Sequence, residues 1–149
     1  MLLLDLLAKS FDVDDGAYWT DALHKTMIPL LVNLLDTPLT SSETISEHLA
    51  DCLGSLAGST TTESVLKTLN TSICLATRSD IVSCRLASLA ALEAIWTRQS
   101  DELATFVQET VGEFLSELVE DENSDVEALA RKVLAKIEAV TGDLAEYLD

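Results

Sequence analysis

Apolar residues recur along this chain at helical spacing. In the segment Val-Glu-Ala-Leu-Ala-Arg-Lys-Val-Leu-Ala-Lys-Ile, the positions Val126, Ala130, Val133, Leu134 and Ile137 follow i, i+4, i+7, i+8, i+11, one face of an α-helix. The same template lies 42 residues earlier at Cys84, Ser88, Ala91, Leu92 and Ile95, and a further 39 residues earlier at Ile45, Leu49, Cys52, Leu53 and Leu56. Only Ser88 breaks an apolar column, and a serine inside a helix can bond back to its own backbone. The preceding helices repeat on the same offsets: Leu115, Ile73 and Leu34 form one column, and Val111, Leu69 and Leu30 another. Two helices repeating in step predict stacked helical hairpins, each too thin to bury its apolar face alone.

Boundary residues fit this pattern and predict helices over 2–10, 17–36, 41–57, 62–77, 81–98, 101–120 and 125–141, with a short turn over 143–148. Thr40 with Glu43, Thr60 with Glu63, and Ser124 with Glu127 have capping-box spacing. Gly58 and Gly142 fall at helix ends, where a left-handed cap favours glycine, and Pro38 follows a helix end. Pro29, inside Met-Ile-Pro-Leu-Leu-Val, predicts a bend in its helix. The run Ser72 to Thr77 is short and does not alternate, so no strand is expected.

Composition narrows the function classes. The chain has 149 residues, 48% of them hydrophobic, which suffices for one folded domain despite a net charge of −17. Its longest uncharged stretch, Cys52 to Thr62, is too short to span a membrane. The start, Met-Leu-Leu-Leu-Asp-Leu-Leu-Ala-Lys, lacks a basic leader and is interrupted by Asp5, so it reads as a helix fragment. A pI near 4.2 opposes phosphate binding, so any direct RNA contact would be local.

Little in the chain points to catalysis. Cys52, Cys74 and Cys84 are odd in number and form no Cys-x-x-Cys pair, so no disulfide framework or zinc site is expected. Cys84 sits beside Arg85 but on a core column, where burial opposes the thiolate. His24 and His48 lack a His-x-x-x-His partner and read as surface residues, with Asp21 and Asp51 three positions away. No phosphate-binding or nucleophile-elbow glycine motif occurs, and no cofactor or metal is expected. Asn70-Thr71-Ser72 matches a glycosylation sequon by chance, in mid-helix.

Two features remain as candidate protein contacts. The run Glu117, Glu120, Asp121, Glu122, Asp125, Glu127 is a solvated inter-helix loop whose carboxylates favour the next helix's N-terminus, and Glu120, Asp121, Glu122 and Asp125 could also dock a basic protein segment. Arg131, Lys132 and Lys136 are too few for a nucleic-acid stripe and have carboxylates nearby to pair with. Tyr18 and Trp19, at the start of the first full helix, are either end-cap packing or interface anchors.

The forty-residue period with two helices per unit, and Pro29 in the first helix, resembles the HEAT repeat. Glu113-Phe-Leu-Ser-Glu-Leu-Val-Glu-Asp-Glu122, Asp125-Val-Glu-Ala-Leu-Ala130, Ile137-Glu138 and Gly142-Asp-Leu-Ala-Glu-Tyr-Leu-Asp149 resemble the C-terminus of one family: the large HEAT-repeat scaffold of the small-subunit processome, tenth of the U-three-RNA-associated set. Asp15-Gly-Ala-Tyr-Trp19 is similar to an acidic-x-x-Tyr-Trp segment of the same region. The last forty residues are the specific part, whereas 40–100 is generic HEAT.

The resemblance implies an all-α solenoid of about three HEAT-like hairpins plus a partial N-terminal helix, a single domain over 1–149 at the C-terminal end of a longer solenoid, with 1–11 the tail of a truncated preceding helix. It further implies a non-catalytic scaffold in the nucleus and nucleolus, acting in pre-rRNA transcription and 18S rRNA processing. The implied partners are other processome proteins, including WD-repeat subunits of the complex on the 5′ external transcribed spacer, and the U-three snoRNP and pre-rRNA through that complex. Little direct RNA binding by this piece and no membrane contact are expected. A HEAT adaptor in transport or cytoskeletal assembly is the alternative, and a small enzyme using a buried cysteine a third.

Overall fold

The computed structural model describes residues 2–148, with Leu2 described by its backbone alone; Met1 and Asp149 lie outside it. Its helices are α1 (Leu2–Val13), α2 (Asp21–Val32), α3 (Glu43–Gly58), α4 (Glu63–Ala76), α5 (Val82–Leu103), α6 (Val107–Glu109), α7 (Ser116–Leu118), α8 (Ser124–Thr141) and α9 (Ala145–Leu148). No strand occurs among the described residues. They form two layers: α1, α3, α5 and α8 pack side by side in that order, while α2, α4 and the broken helix over 104–118 lie across them. Each hairpin takes its first helix from the second layer and its second helix from the first, giving three units with α1 as an extra second helix.

The repeat columns hold the two layers together. Of the fifteen second-helix positions, fourteen are buried, and Ile45 is half-buried. Ser88 donates to the Cys84 carbonyl at 2.7 Å, so the one hydroxyl in the columns satisfies itself within its helix.

The first-helix columns hold in the second and third units but slip in the first. Leu30 is 59% exposed and Leu34 only half-buried, while Ile28, Leu31, Val32 and Leu35 face the core. The offset from Ile28 to Leu69 and from Val32 to Ile73 is 41 residues, two more than between α3 and α5. The extra pair lies between α2 and α3, where two 3₁₀ turns, Asn33–Asp36 and Pro38–Ser41, replace the end of the predicted 17–36 helix. Pro38 occupies the first position of the second turn, where its missing N–H leaves no bond unmade.

Helix starts are shifted too. Residues 17–20 are not helical: Asp14 accepts from the backbone N–H groups of Gly16, Tyr18 and Trp19 at 3.1–3.2 Å and holds a loop, so α2 begins after its cap Thr20. The three capping boxes do not form. Ser42 caps α3 by accepting from Ile45 N, and Asn123 caps α8 by accepting from Asp125 N and Val126 N. Thr62 precedes α4 without a side-chain cap. Thr40 is instead buried in a 3₁₀ turn, and Thr60 accepts from Thr62 N.

Gly142 ends α8 with φ +88°, the left-handed region that glycine enters without strain. Gly58 has no such geometry; a Cβ there would lie 3.0 Å from the Arg98 guanidinium, which crosses α3 at this point.

The predicted 101–120 helix is the most altered element. α5 runs on past 98 through a kink at Gln99 (φ −140°, ψ 39°), whose Nε2 donates to the Ala57 and Thr60 carbonyls at 3.1 and 2.7 Å. A 3₁₀ turn (Ala104–Phe106), α6, a π-helical stretch (Thr110–Leu115) and α7 follow. Inside the core, Thr110 Oγ1 donates to the Phe106 carbonyl at 2.9 Å and accepts from Asn70 Nδ2 at 2.8 Å, while Asn70 Oδ1 accepts from Trp96 Nε1 at 3.0 Å. This chain satisfies every buried amide atom of Asn70, so the sequon is sealed in the core.

Candidate protein-contact surfaces

The acidic turn between α7 and α8 divides into a structural part and a free part. Asp121 is sunk: its carboxylate faces Arg85, with Nε 3.1 Å from Oδ2 and Nη2 3.3 Å from Oδ1, and also accepts from Asn123 N at 2.9 Å. This ties the turn to α5 just before the α8 cap. Glu120, Glu122 and Asp125 are exposed and point their charge to solvent. Arg78 lies 4.3 Å above the Phe114 ring and pairs with Glu117 at 3.2 Å, so both arginines near the turn are already engaged. Arg131 pairs with Glu127 four positions earlier, as expected, whereas Lys132 and Lys136 both reach Glu93 on α5.

Tyr18 and Trp19 part company. Trp19 is half-buried: its ring lies 4.5 Å from Phe11 and stacks on His24, and its Nε1 donates to Ser10 Oγ at 2.9 Å. It joins α1 to α2. Tyr18 is 64% exposed, edge-on to Trp19.

His24 departs from the expected surface position, while His48 keeps it with a different partner. His24 is 1% exposed, with Nε2 3.0 Å from Ser59 Oγ and no hydrogen bond at Nδ1. Burial holds it below its ordinary pKa of 6.5, against the opposing pull of Asp21 and Asp14. Asp21 itself accepts from Thr62 Oγ1. His48 pairs across helices with Asp5 of α1 and leaves Asp51 free. The helical spacing to Asp21 and Asp51 could not reveal these partners, because they come from other turns of the stack.

All three cysteines are free and buried. Burial pushes the thiols of Cys52 and Cys74 up to about 12, far from thiolate chemistry at neutral pH. Among the described residues, no group of three or more His, Cys, Asp or Glu side chains could hold a metal ion, and no helix is long and apolar enough to cross a membrane.

A surface the sequence reading did not single out runs over the layer of second helices. It is a trough of about 950 Å³ across α1, α3 and α5 that reaches Lys136 of α8. Its floor is small, with Ala8, Ala50, Gly54, Ala90 and Ala94; a Cβ on Gly54 would lie 3.3 Å from Ala94, so α3 and α5 approach closely there. Arg98 closes one end. It reaches from α5 over Gly58 to Asp12 of α1 at 2.9 Å, and this hydrogen bond lowers the Asp12 pKa. The signal was present in the sequence as charged positions on the second helices opposite the apolar columns, but only stacking shows that they share one groove.

The two ends of the stack differ. On α1, Leu3, Leu6 and Val13 are 77%, 57% and 81% exposed, among exposed Asp5, Lys9 and Asp12, while Phe11 is buried. On α8 Arg131 and Glu138 are exposed, with Val140 near its end, and α9 lies against the π-helical stretch with Leu144 buried, Tyr147 half-buried and Leu148 exposed.

No protein-family model and no solved structure matches the chain. Curated relatives do. U3 small nucleolar RNA-associated protein 10 of Phaeosphaeria nodorum is 31% identical over 146 residues, which cover 97% of this chain and 8% of the relative. HEAT repeat-containing protein 1 of Danio rerio is 30% identical over 145 residues, or 95% and 7% respectively. The protein of that name from Homo sapiens is 28% identical over 123 residues, or 83% and 6%. The chain therefore spans less than a tenth of the length of these relatives. Homology along nearly its whole length agrees with the paired helical layers, and the chain belongs to the family of U3 small nucleolar RNA-associated protein 10 and HEAT repeat-containing protein 1.

Proposed function

We propose that this chain is a non-catalytic protein-contact piece at the C-terminal end of a long HEAT-repeat scaffold that serves ribosome biogenesis. The observation carrying this reading is the contrast between its two ends. A solenoid continues where an apolar helix face is open and stops where polar groups and a lid face water. Leu3, Leu6 and Val13 form the open end; α8 and α9 form the closed one. A single domain over 1–149, with α1 as the second helix of a further unit, is part of this proposal.

The processome assignment draws on the relatives' names, which associate those proteins with U3 small nucleolar RNA. On this reading the parent protein works in the nucleolus, in pre-rRNA transcription and 18S rRNA processing. It meets WD-repeat and other processome proteins, and the U3 snoRNP and pre-rRNA, through that assembly. Nothing in the chain favours the transport or cytoskeletal adaptor. The piece itself contacts protein and not RNA: a net charge of −17 opposes phosphate, and its arginines at 78, 85, 98 and 131 all face carboxylates. Exposed Glu120, Glu122 and Asp125 steer basic partners toward it, with Asp121 holding their turn in place.

Affinity purification of the chain from nucleolar extract tests this reading. Recovery of processome proteins together with pre-rRNA is the expected result; recovery of transport or cytoskeletal proteins instead would refute it. In a parallel anisotropy titration, 5′ spacer RNA alone should bind weakly. Tight, salt-sensitive binding would move the RNA contact onto this piece.

A further inference from the structure

We infer that the trough over α1, α3 and α5 is a seat for a basic amphipathic segment of a partner protein. This rests on the reading of the chain as a protein-contact piece and goes beyond it by naming the surface and the chemistry of its occupant.

The charge around the trough fixes the sign of that occupant. Five carboxylates line it against three cations. Arg98 is committed to Asp12, and Lys136 faces Glu93, whose Oε2 accepts no hydrogen bond and whose nearest lysine contacts are 3.6 and 3.8 Å. Glu47 and Asp51, one helical turn apart on α3, pair with no cation among the described residues, stand on the central helix of the groove, and outnumber Lys9, the trough's remaining cation. An acidic peptide or a phosphate backbone would meet this pair head-on, whereas lysine or arginine side chains would neutralise it.

The floor fixes the rest of the chemistry. Small side chains where α3 approaches α5 leave room for aliphatic groups of a ligand to reach between the helices. A segment pairing leucine-like with lysine-like residues at helical spacing presents both kinds of group along one line. The acidic turn at 120–125 is not part of this groove. It lies at the loop edge of the stack, where it raises the encounter rate without forming the seat.

The test uses the whole chain and four probes: a fluorescent amidated leucine/lysine amphipathic peptide, its leucine/glutamate counterpart, a scrambled leucine/lysine peptide, and a single-stranded RNA. The leucine/lysine peptide should bind, with the glutamate peptide and RNA at least about tenfold weaker. Glu47→Lys with Asp51→Lys should weaken the lysine peptide about tenfold or more, mainly through faster dissociation. Asp101→Lys with Glu102→Lys, the same charge change at exposed positions outside the trough, should alter affinity less than about twofold. Circular dichroism of both variants should match the parent chain.

Equal weakening by both pairs, or equal binding of scrambled and amphipathic peptides, would show diffuse attraction to an acidic protein and overturn the seat. Tighter binding of RNA or of the glutamate peptide would overturn the sign of the occupant. If the Glu47/Asp51 variant binds the peptide normally while the parent chain still captures processome proteins, the trough proposal fails and the scaffold reading stands.

Discussion

The first and last second helices of the stack, α1 and α8, do the same structural job with opposite outer faces. Both turn an apolar face inward, Phe11 on α1 and Val126, Ala130, Val133 and Ile137 on α8. α1 exposes Leu3, Leu6 and Val13 among Asp5, Lys9 and Asp12, while α8 exposes Arg131, Lys132, Lys136 and Glu138, with Val140 its one exposed large hydrophobic among the described residues. The attachments differ as well. α1 is tied by Phe11 with part-buried Leu4 and Leu7 and by Asp5 to His48, Asp12 to Arg98 and Ser10 to Trp19 of the following loop, whereas α8 is fixed by a longer buried column, an asparagine cap and the Lys132 and Lys136 bridges to Glu93.

The largest effect should follow from removing the closed end. Deletion of 125–149 uncovers Val111, Leu115 and Leu118, and the shortened chain should aggregate on size-exclusion chromatography. A monomer with unchanged melting would show that the cap is dispensable.

Next come single core positions. Leu53→Ala, Leu92→Ala and Leu134→Ala should each cost about 2–5 kcal/mol in urea unfolding and Phe11→Ala about 3–5, while Glu122→Ala should stay within about 0.5. A small loss at Phe11 beside a large one at Leu134 would mean that α1 is only loosely held.

Caps give smaller and more pointed differences. Asn123→Ala should cost about 1 kcal/mol and Ser124→Ala little, the reverse of what capping-box spacing implies. Thr20→Ala, at the N-terminal end, should match Asn123→Ala, since Thr20 also accepts a backbone N–H, from Leu23.

The N-terminal end should respond to pH through His24. The pKa of His24 is depressed in the folded chain, so its contribution is complete above the unfolded value near 6.5 and is lost as pH falls through the lower folded value. Melting temperature should therefore decline below pH 6.5, and His24→Gln should flatten that decline.

The smallest stability change belongs to the open face. Leu3→Lys with Leu6→Lys should alter unfolding by less than about 0.5 kcal/mol yet lower self-association at high concentration.

How much of this was legible in the sequence depended on the range of the interactions. The second-helix columns were readable because one helix face reports its own burial, and Ser88 even announced its remedy. The slip at Leu30 and Leu34 was not, because two residues added between helices change no local periodicity. Capping failed for a similar reason: Thr40 and Thr60 have the right spacing, but Ser42 and Thr62 lie closer to where packing starts the helix. Thr110, where the π-helical stretch begins, is bound by Asn70 forty residues earlier, and no pattern within 101–120 shows that partner. Among the candidate contacts, the acidic turn was visible as a charge run, yet the burial of Asp121 under Arg85 was not. The trough needed three helices side by side before its carboxylates could be counted together.

The central claim is that the stack is open at α1 and closed at α8, and hydrogen exchange followed by mass spectrometry tests it most directly. Exchange in this chain should be compared with exchange in the longest form of the protein expressed from its source. The account predicts that amides of Leu2–Val13 slow about tenfold or more in the longer form, while those of Ser124–Thr141 keep their rates. Unchanged exchange in α1 together with new protection over α8 would contradict it.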